Sequence, residues 1–258
     1  LMDGTFGVHT GIKTYKDLYD RGLGKFNSLY EYLQTDNNGA FVKDAAGNYQ
    51  TERYKMRDGS FWKKTTDNFY QNHNILSFLI HPAQHWSHNI TVHYTYGYGY
   101  YSEFKRKAKL AKFGLQFTDN TGTQIAKTDL VRRKGLSQHT YGVIYNLNYK
   151  DENWDVMGGL NLQQFRGDHF GYLTYIKDQQ VDNKFRPNGK DYKYYSSDAR
   201  KFDYSGFFKA NYHFNNYWNT FIDLQYRRVE YRTNGENDRF RKGANGYHNQ
   251  LLNINKHY

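Results

Sequence analysis

A chain of 258 residues is long enough for one large domain or two smaller ones. It contains no cysteine, which excludes a disulfide scaffold, a thiolate metal site and a cysteine nucleophile, and no window approaches the roughly 18 apolar residues of a membrane helix. A net charge of +11 suits nucleic acid, acidic lipid headgroups or an anionic ligand, while a mean hydropathy of −1.00 leaves a β-barrel open, because such a wall shows lipid only at every second strand residue.

The opening LMDGTFGVHTG has no basic segment followed by an apolar run, so no export signal is read there. Phe6, Val8 and Ile12 share a parity with Thr10 and Thr14, which predicts a first strand. FNSLYEYLQ, at 26–34, suits a short helix inside a loop. Leu76, Phe78 and Ile80 alternate in the next strand. The clearest pattern is NITVHYTYGYGYY, at 89–101. Ile90, Val92, Tyr94, Tyr96, Tyr98 and Tyr100 stand on one face, and Thr91, His93, Thr95, Gly97 and Gly99 on the other. That run exceeds the usual soluble strand of about 5 to 6 residues and suits the roughly 9 to 11 of a bilayer-crossing one.

Tyr141, Val143, Tyr145, Leu147 and Tyr149 then oppose Thr140, Gly142, Ile144, Asn146 and Asn148. Trp154, Val156, Leu160 and Leu162 open a strand that runs through Phe170 and Ile176. Phe202, Tyr204, Phe208, Ala210 and Tyr212 oppose Asp203, Ser205 and Lys209; Trp218, Ile222, Leu224 and Tyr226 oppose Asp223, Gln225 and Arg227. These make seven strands, with an eighth starting near Tyr247.

The links alternate in length. HPAQHWSH, KDEN and NNY are short, whereas 16–65, 105–136, 177–199 and 233–246 read as long. Compact soluble domains mostly use loops of about 4 to 6 residues, but outer-membrane barrels combine short periplasmic turns with long extracellular loops. Trp86, Trp154 and Trp218 lie in or beside the short turns, with Tyr149 and Tyr217 near them, as an aromatic girdle at a membrane surface requires. The small and polar second face suits a wide, wet interior, of which these strands would form an arc.

TDNFYQNHN at 66–74, HYTYGYGYYSEFK at 93–105, TDLVRRKGL at 128–136, GGLNLQQFRGDHFGYL at 158–173 and DLQYRRVEY at 223–231 together resemble the mid-barrel region of TonB-dependent outer-membrane receptors. The resemblance covers residues 66–240. It implies an antiparallel transmembrane wall of about 22 strands in the whole receptor, an N-terminal plug and ligand uptake energised through TonB. Residues 1–258 show neither plug nor TonB box, so the chain is expected to be part of the barrel, in the bacterial outer membrane. The partners implied are outer-membrane lipid and lipopolysaccharide, the TonB system, a surface lipoprotein, and a small-molecule, siderophore or glycan ligand.

Other motifs point to weaker readings. Arg166–Asp168 spells an adhesion tripeptide but falls inside a predicted strand. His81, His85 and His88 have helical ligand spacing, yet Pro82 argues for a turn, so no metal or cofactor is expected. Lys105, Arg106, Lys107, Arg132, Arg133 and Lys134 crowd the predicted link 105–136 as candidate contacts for ligand or lipopolysaccharide. Aromatics share their parity with Val, Ile and Leu rather than with cations, which speaks against nucleic acid. No catalytic signature is present, and Asp168 with His169 would point to opposite faces of a strand, so no enzyme is expected. The alternatives are a passive porin or small complete barrel, and a soluble carbohydrate-binding β-sandwich.

Overall fold

The computed structural model describes residue 23, residues 25–243 and residues 246–258, with the backbone alone for most of 239–253. The strand expected over 6–14 lies outside the described residues. The fold is all-β. Two short strands, β1 (Glu31–Leu33) and β2 (Thr51–Arg53), pair with each other. Seven long ones follow: β3 (Thr66–Ala83), β4 (Trp86–Lys109), β5 (Lys127–Lys150), β6 (Trp154–Ile176), β7 (Tyr192–His213), β8 (Asn219–Gly243) and β9 (Gly246–His257). They form one antiparallel sheet in chain order. Strictly sequential hairpins need no crossover, so each strand pairs with the one made just before it.

The three short turns fall where the sequence puts them, at 84–85, 151–153 and 214–218. In the middle one, Asp151 accepts hydrogen bonds from the backbone N–H groups of Asn153 (2.9 Å) and Trp154 (2.7 Å), which fixes the hairpin and aims Trp154. The expected long links shrink. β4 runs to Lys109 and β5 starts at Lys127; β7 starts at Tyr192, after a short helix α1 (Gln179–Phe185) capped by Asp178, whose side chain accepts from Val181 N–H. The link expected over 233–246 is mostly strand. Its Asn, Gly and Asp residues read as turn formers, but β8 pairs with β9 over 230–236 and 240–243, with a register shift between the two stretches.

FNSLYEYLQ is a turn followed by β1, not a helix. One helix-like turn does form, with Glu31 N–H donating to the Asn27 carbonyl. Pairing then wins, because Glu31 stands opposite Arg53 and Tyr32 stacks on Tyr54 at 5.6 Å.

The chain divides into two compact units. The first holds the described residues up to Asp67 with Tyr101–Arg133 and Tyr172–Tyr192, and the second holds Asn68–Tyr100, Lys134–Gly171 and Lys193–Tyr258. Their packing differs in kind. Among the described residues, the fully buried large side chains, Leu110, Leu115, Leu130, Val131, Leu173, Ile176 and Val181, all belong to the first unit. The second has no equivalent core among the described residues, and its large apolar groups stand exposed, as on Leu76, Leu160, Leu162, Phe208, Leu224 and Tyr226.

The first unit repeats one local device. Asp36, Asp44 and Asp119 each accept, through Oδ1, the backbone N–H groups two and four residues on, and a glycine follows three residues after each aspartate. Isolated bridges close the hairpins at Thr35 with Phe41, Lys43 with Tyr49, and Thr118 with Gln124. Gly47 has φ of +85° with open space around a would-be Cβ, so its requirement is backbone conformation alone. Gly47→Ala should therefore cost about 1 to 2 kcal/mol by forcing a left-handed alanine. Denaturant melting of the first unit checks this; an unchanged midpoint contradicts it.

Candidate membrane interface

In the second unit the sheet's two faces differ chemically. On β4, Val92, Tyr94 and Tyr98 are exposed, whereas Gly97 and Gly99 of the opposite parity are covered, by Gln138 and Phe69 respectively. The glycines are thus seats for side chains from neighbouring strands, which explains a face of bulk backed by a face without it. The β7–β8 register sets Phe208 opposite Leu224 and Ala210 opposite Ile222, all with their side chains on one face. Leu76 (58%), Leu162 (55%) and Leu224 (57%) keep more than half their surface exposed. Removing what remains exposed of each such side chain from water is worth about 1 to 2 kcal/mol.

The other face carries the paired polar groups, together with exposed Ile75, Leu79 and Phe221. Arg227 donates two hydrogen bonds to Asp203, at 2.9 and 2.6 Å, and Lys201 lies 3.2 Å from the same carboxylate. Lys209 pairs with Asp223 at 3.1 Å. His73 bonds Thr95 and Ser77 bonds Thr91, at 2.9 and 2.8 Å. A groove of about 680 Å³ is bordered on this face by Asn161, Ser205, Lys209, Gln225 and Arg227.

Aromatic side chains gather at the short turns. Trp86 packs on Tyr149 at 4.8 Å, and Trp154 on Tyr212 at 4.6 Å. The Tyr149 hydroxyl donates to Asp151 at 2.6 Å. Tyr217 and Trp218 are 91% and 72% exposed. All five residues expected in the girdle, Trp86, Tyr149, Trp154, Tyr217 and Trp218, therefore lie at the turn ends of strands with rings half-covered or open. The histidines nearby are spoken for: His85 bonds the Lys150 carbonyl and His88 the Tyr145 hydroxyl, both at 2.8 Å. Pro82 sits inside β3, an outermost strand of the sheet among the described residues, where a missing N–H is tolerated.

The six cations expected in a loop stand on strands instead. In the first unit, Lys105 and Arg132 converge on Glu103, Arg106 lies 3.8 Å from the centroid of the Tyr32 ring, and the Lys107 backbone N–H donates to Asp129 at 2.7 Å. Arg133 reaches the Ser102 hydroxyl at 3.4 Å. In the second unit, Lys134 pairs with Asp238 at 2.5 Å. Lys105, Arg132 and Lys134 thus pair with carboxylates within the protein.

A cluster the sequence reading missed lies in the first unit. Trp62, Phe104 and Val131 form a buried core against Tyr30, Tyr54, Met56 and Tyr175. Arg57 fastens it, donating from Nε to the Lys177 carbonyl (2.7 Å) and from Nη2 to the Ile176 carbonyl, with Asp182 at 3.1 Å. The recurring aspartate and glycine spacing announces the hairpins, but nothing local in the sequence joins Arg57 to residues more than a hundred positions away.

Burial, and then a 2.5 Å hydrogen bond to Glu52, push the Tyr32 hydroxyl up to about 12. Glu52 is held below the ordinary carboxylate value, first by that hydrogen bond and then by Lys55. Tyr32 thus stabilises the fold fully below its ordinary value of 10.0, and this is lost as pH rises through about 12. The Glu52 contribution is present above the ordinary carboxylate range and lost as pH falls through its depressed folded value. Ultraviolet titration should show one tyrosine ionising near 12 that returns toward the ordinary range in Glu52→Gln; identical curves for both proteins count against it.

No family model matches this chain, and no curated protein matches it.

Proposed function

We propose that the chain supplies part of the wall of an outer-membrane β-barrel of the TonB-dependent receptor kind, with a role in binding and admitting a ligand rather than in bond making. The observation that carries this is the inside-out second unit, in which exposed Leu, Ile, Phe and Tyr dominate one face of a sheet whose other face carries the ion pairs and hydrogen-bonded polar groups. In water that arrangement leaves the apolar face without a partner; against acyl chains it is the favoured one. Strands of 18 to 25 residues in β3 to β8 exceed the roughly 9 to 11 needed to cross, so they continue beyond the bilayer. The barrel-wall stretches at 66–74, 93–105, 128–136, 158–173 and 223–231 favour the receptor family over a simple porin. The first unit, with its ordinary apolar core, suits a water-facing portion of such a receptor.

The test is partitioning. Purified chain is mixed with neutral phosphatidylcholine vesicles and with plain buffer; the expected result is vesicle-bound, protease-protected β-sheet. A monodisperse soluble monomer in buffer that ignores vesicles but binds oligosaccharide overturns the reading in favour of a carbohydrate-binding sandwich.

A further inference from the structure

Beyond the apolar band, the same face of the second unit carries a row of arginines. Arg200 of β7 stands directly opposite Arg232 of β8. On the other side, β6 runs against β7 in one register from end to end: His213 N–H donates to the Asn153 carbonyl, Trp154 packs on Tyr212, Leu160 lies beside Gly206, and Tyr195 lies beside Gly171. That register sets Arg166 opposite Arg200. Three arginines therefore form a row across three neighbouring strands, all on the face that carries Leu162, Phe208 and Leu224, and all exposed. Like charges placed directly across a strand pair repel, so such a row is unfavourable unless an anion comes between them.

Among the described residues, none of the three arginines forms an ion pair. Glu230, two residues from Arg232 on the same face, is held by Arg228 at 3.0 Å. Asp168 and Asp198 stand one row farther out, two residues along each strand. Arg232 acts on Glu230 only through space.

The row's height fits a lipid phosphate. Arg166 follows Trp154 by 12 residues, which is about 41 Å of strand and about 31 Å across a bilayer at a usual tilt of about 40°. An apolar band is about 25 Å tall, so the guanidinium groups stand just past its far edge, where headgroups begin. Arginine's planar fork also matches phosphate oxygens two at a time.

We propose that Arg166, Arg200 and Arg232 bind the phosphate of an anionic lipid headgroup in the leaflet away from the tryptophan-bearing turns. This rests on the membrane reading of the second unit. It gives Arg166 a part that the adhesion tripeptide does not.

The full chain is tested by co-sedimentation with vesicles of phosphatidylcholine, alone or mixed with phosphatidic acid. Three proteins are compared: the unaltered chain, Arg166→Gln/Arg200→Gln/Arg232→Gln, and Lys63→Gln/Lys64→Gln/Lys190→Gln, which loses the same charge from exposed sites elsewhere. At about 1 kcal/mol per arginine near an anionic surface, the unaltered chain should prefer phosphatidic acid on the order of 100-fold. The arginine variant should lose that preference while still entering neutral vesicles, and the lysine variant should keep most of it. No preference in the unaltered chain, or equal loss in both variants, overturns the site. Saturable binding of inorganic phosphate in neutral vesicles, lost in the arginine variant and without any lipid preference, assigns the row to a free anion and overturns the lipid assignment. Failure to enter neutral vesicles at all removes the membrane reading itself, a result distinct from these.

Discussion

Leu224→Arg should weaken insertion into phosphatidylcholine vesicles by about 2 to 4 kcal/mol, while Gln225→Arg, one residue on, changes it by less than about 1 kcal/mol. The difference follows from strand geometry, since consecutive side chains point to opposite faces. Leu224 lies among Phe208, Ile222 and Tyr226 on the apolar face, and a guanidinium there must be carried into hydrocarbon. Gln225 faces the side where Lys209 pairs with Asp223 and Arg227 with Asp203. Equilibrium refolding into vesicles at several denaturant concentrations reads both variants. Equal effects at the two positions would mean that the sheet's faces meet the same environment, and the membrane reading would fall with that result.

How much of the fold is legible in the sequence depends on where a residue sits along its strand. Over Ile90–Tyr100 one face meets an apolar medium if the sheet is a barrel wall, so every second residue is bulky and the strand declares itself. The short turns are equally plain, because Asp151 and Asn153 are turn formers next to Trp154. Past Tyr101 the same β4 strand continues as SEFKRKAK to Lys109. There both faces are polar or meet other parts of the first unit, hydropathy no longer alternates, and the segment reads as a loop. The far end of β8 misleads for a second reason, since Asn234 and Gly235 prefer turns and only pairing with β7 and β9 overrides them. The candidate cations share the first error. Lys105, Arg106, Arg132 and Arg133 look free on a loop, whereas strand pairing brings Glu103, Tyr32 and Ser102 to them. The arginine row is hidden for the opposite reason: Arg166, Arg200 and Arg232 are far apart in the chain, and only the register of three strands aligns them.

The first unit should depend on Phe104 more than on any residue of its hairpins. Phe104 is only 5% exposed, its ring lies 4.7 Å from Tyr54 and 6.2 Å from Trp62, and it projects from β4 into the segment that carries β1 and β2. Phe104→Ala removes the surface on which both rings rest and leaves a cavity the surrounding tyrosines cannot fill, at a cost of about 3 to 5 kcal/mol. That loss is comparable with the whole stability of a small folded unit. The segment 25–65 should then detach from β4, and limited proteolysis should cut among its exposed Lys and Arg residues while β7 and β8 stay protected. Phe61, 42% exposed beneath the Arg53 guanidinium at 4.6 Å, provides the comparison, because its truncation to Ala uncovers little and should leave the digestion pattern as it was. Equal cleavage of the two variants would mean that the hairpins are held by Arg57 and its carbonyl partners alone, with the aromatic stack a bystander.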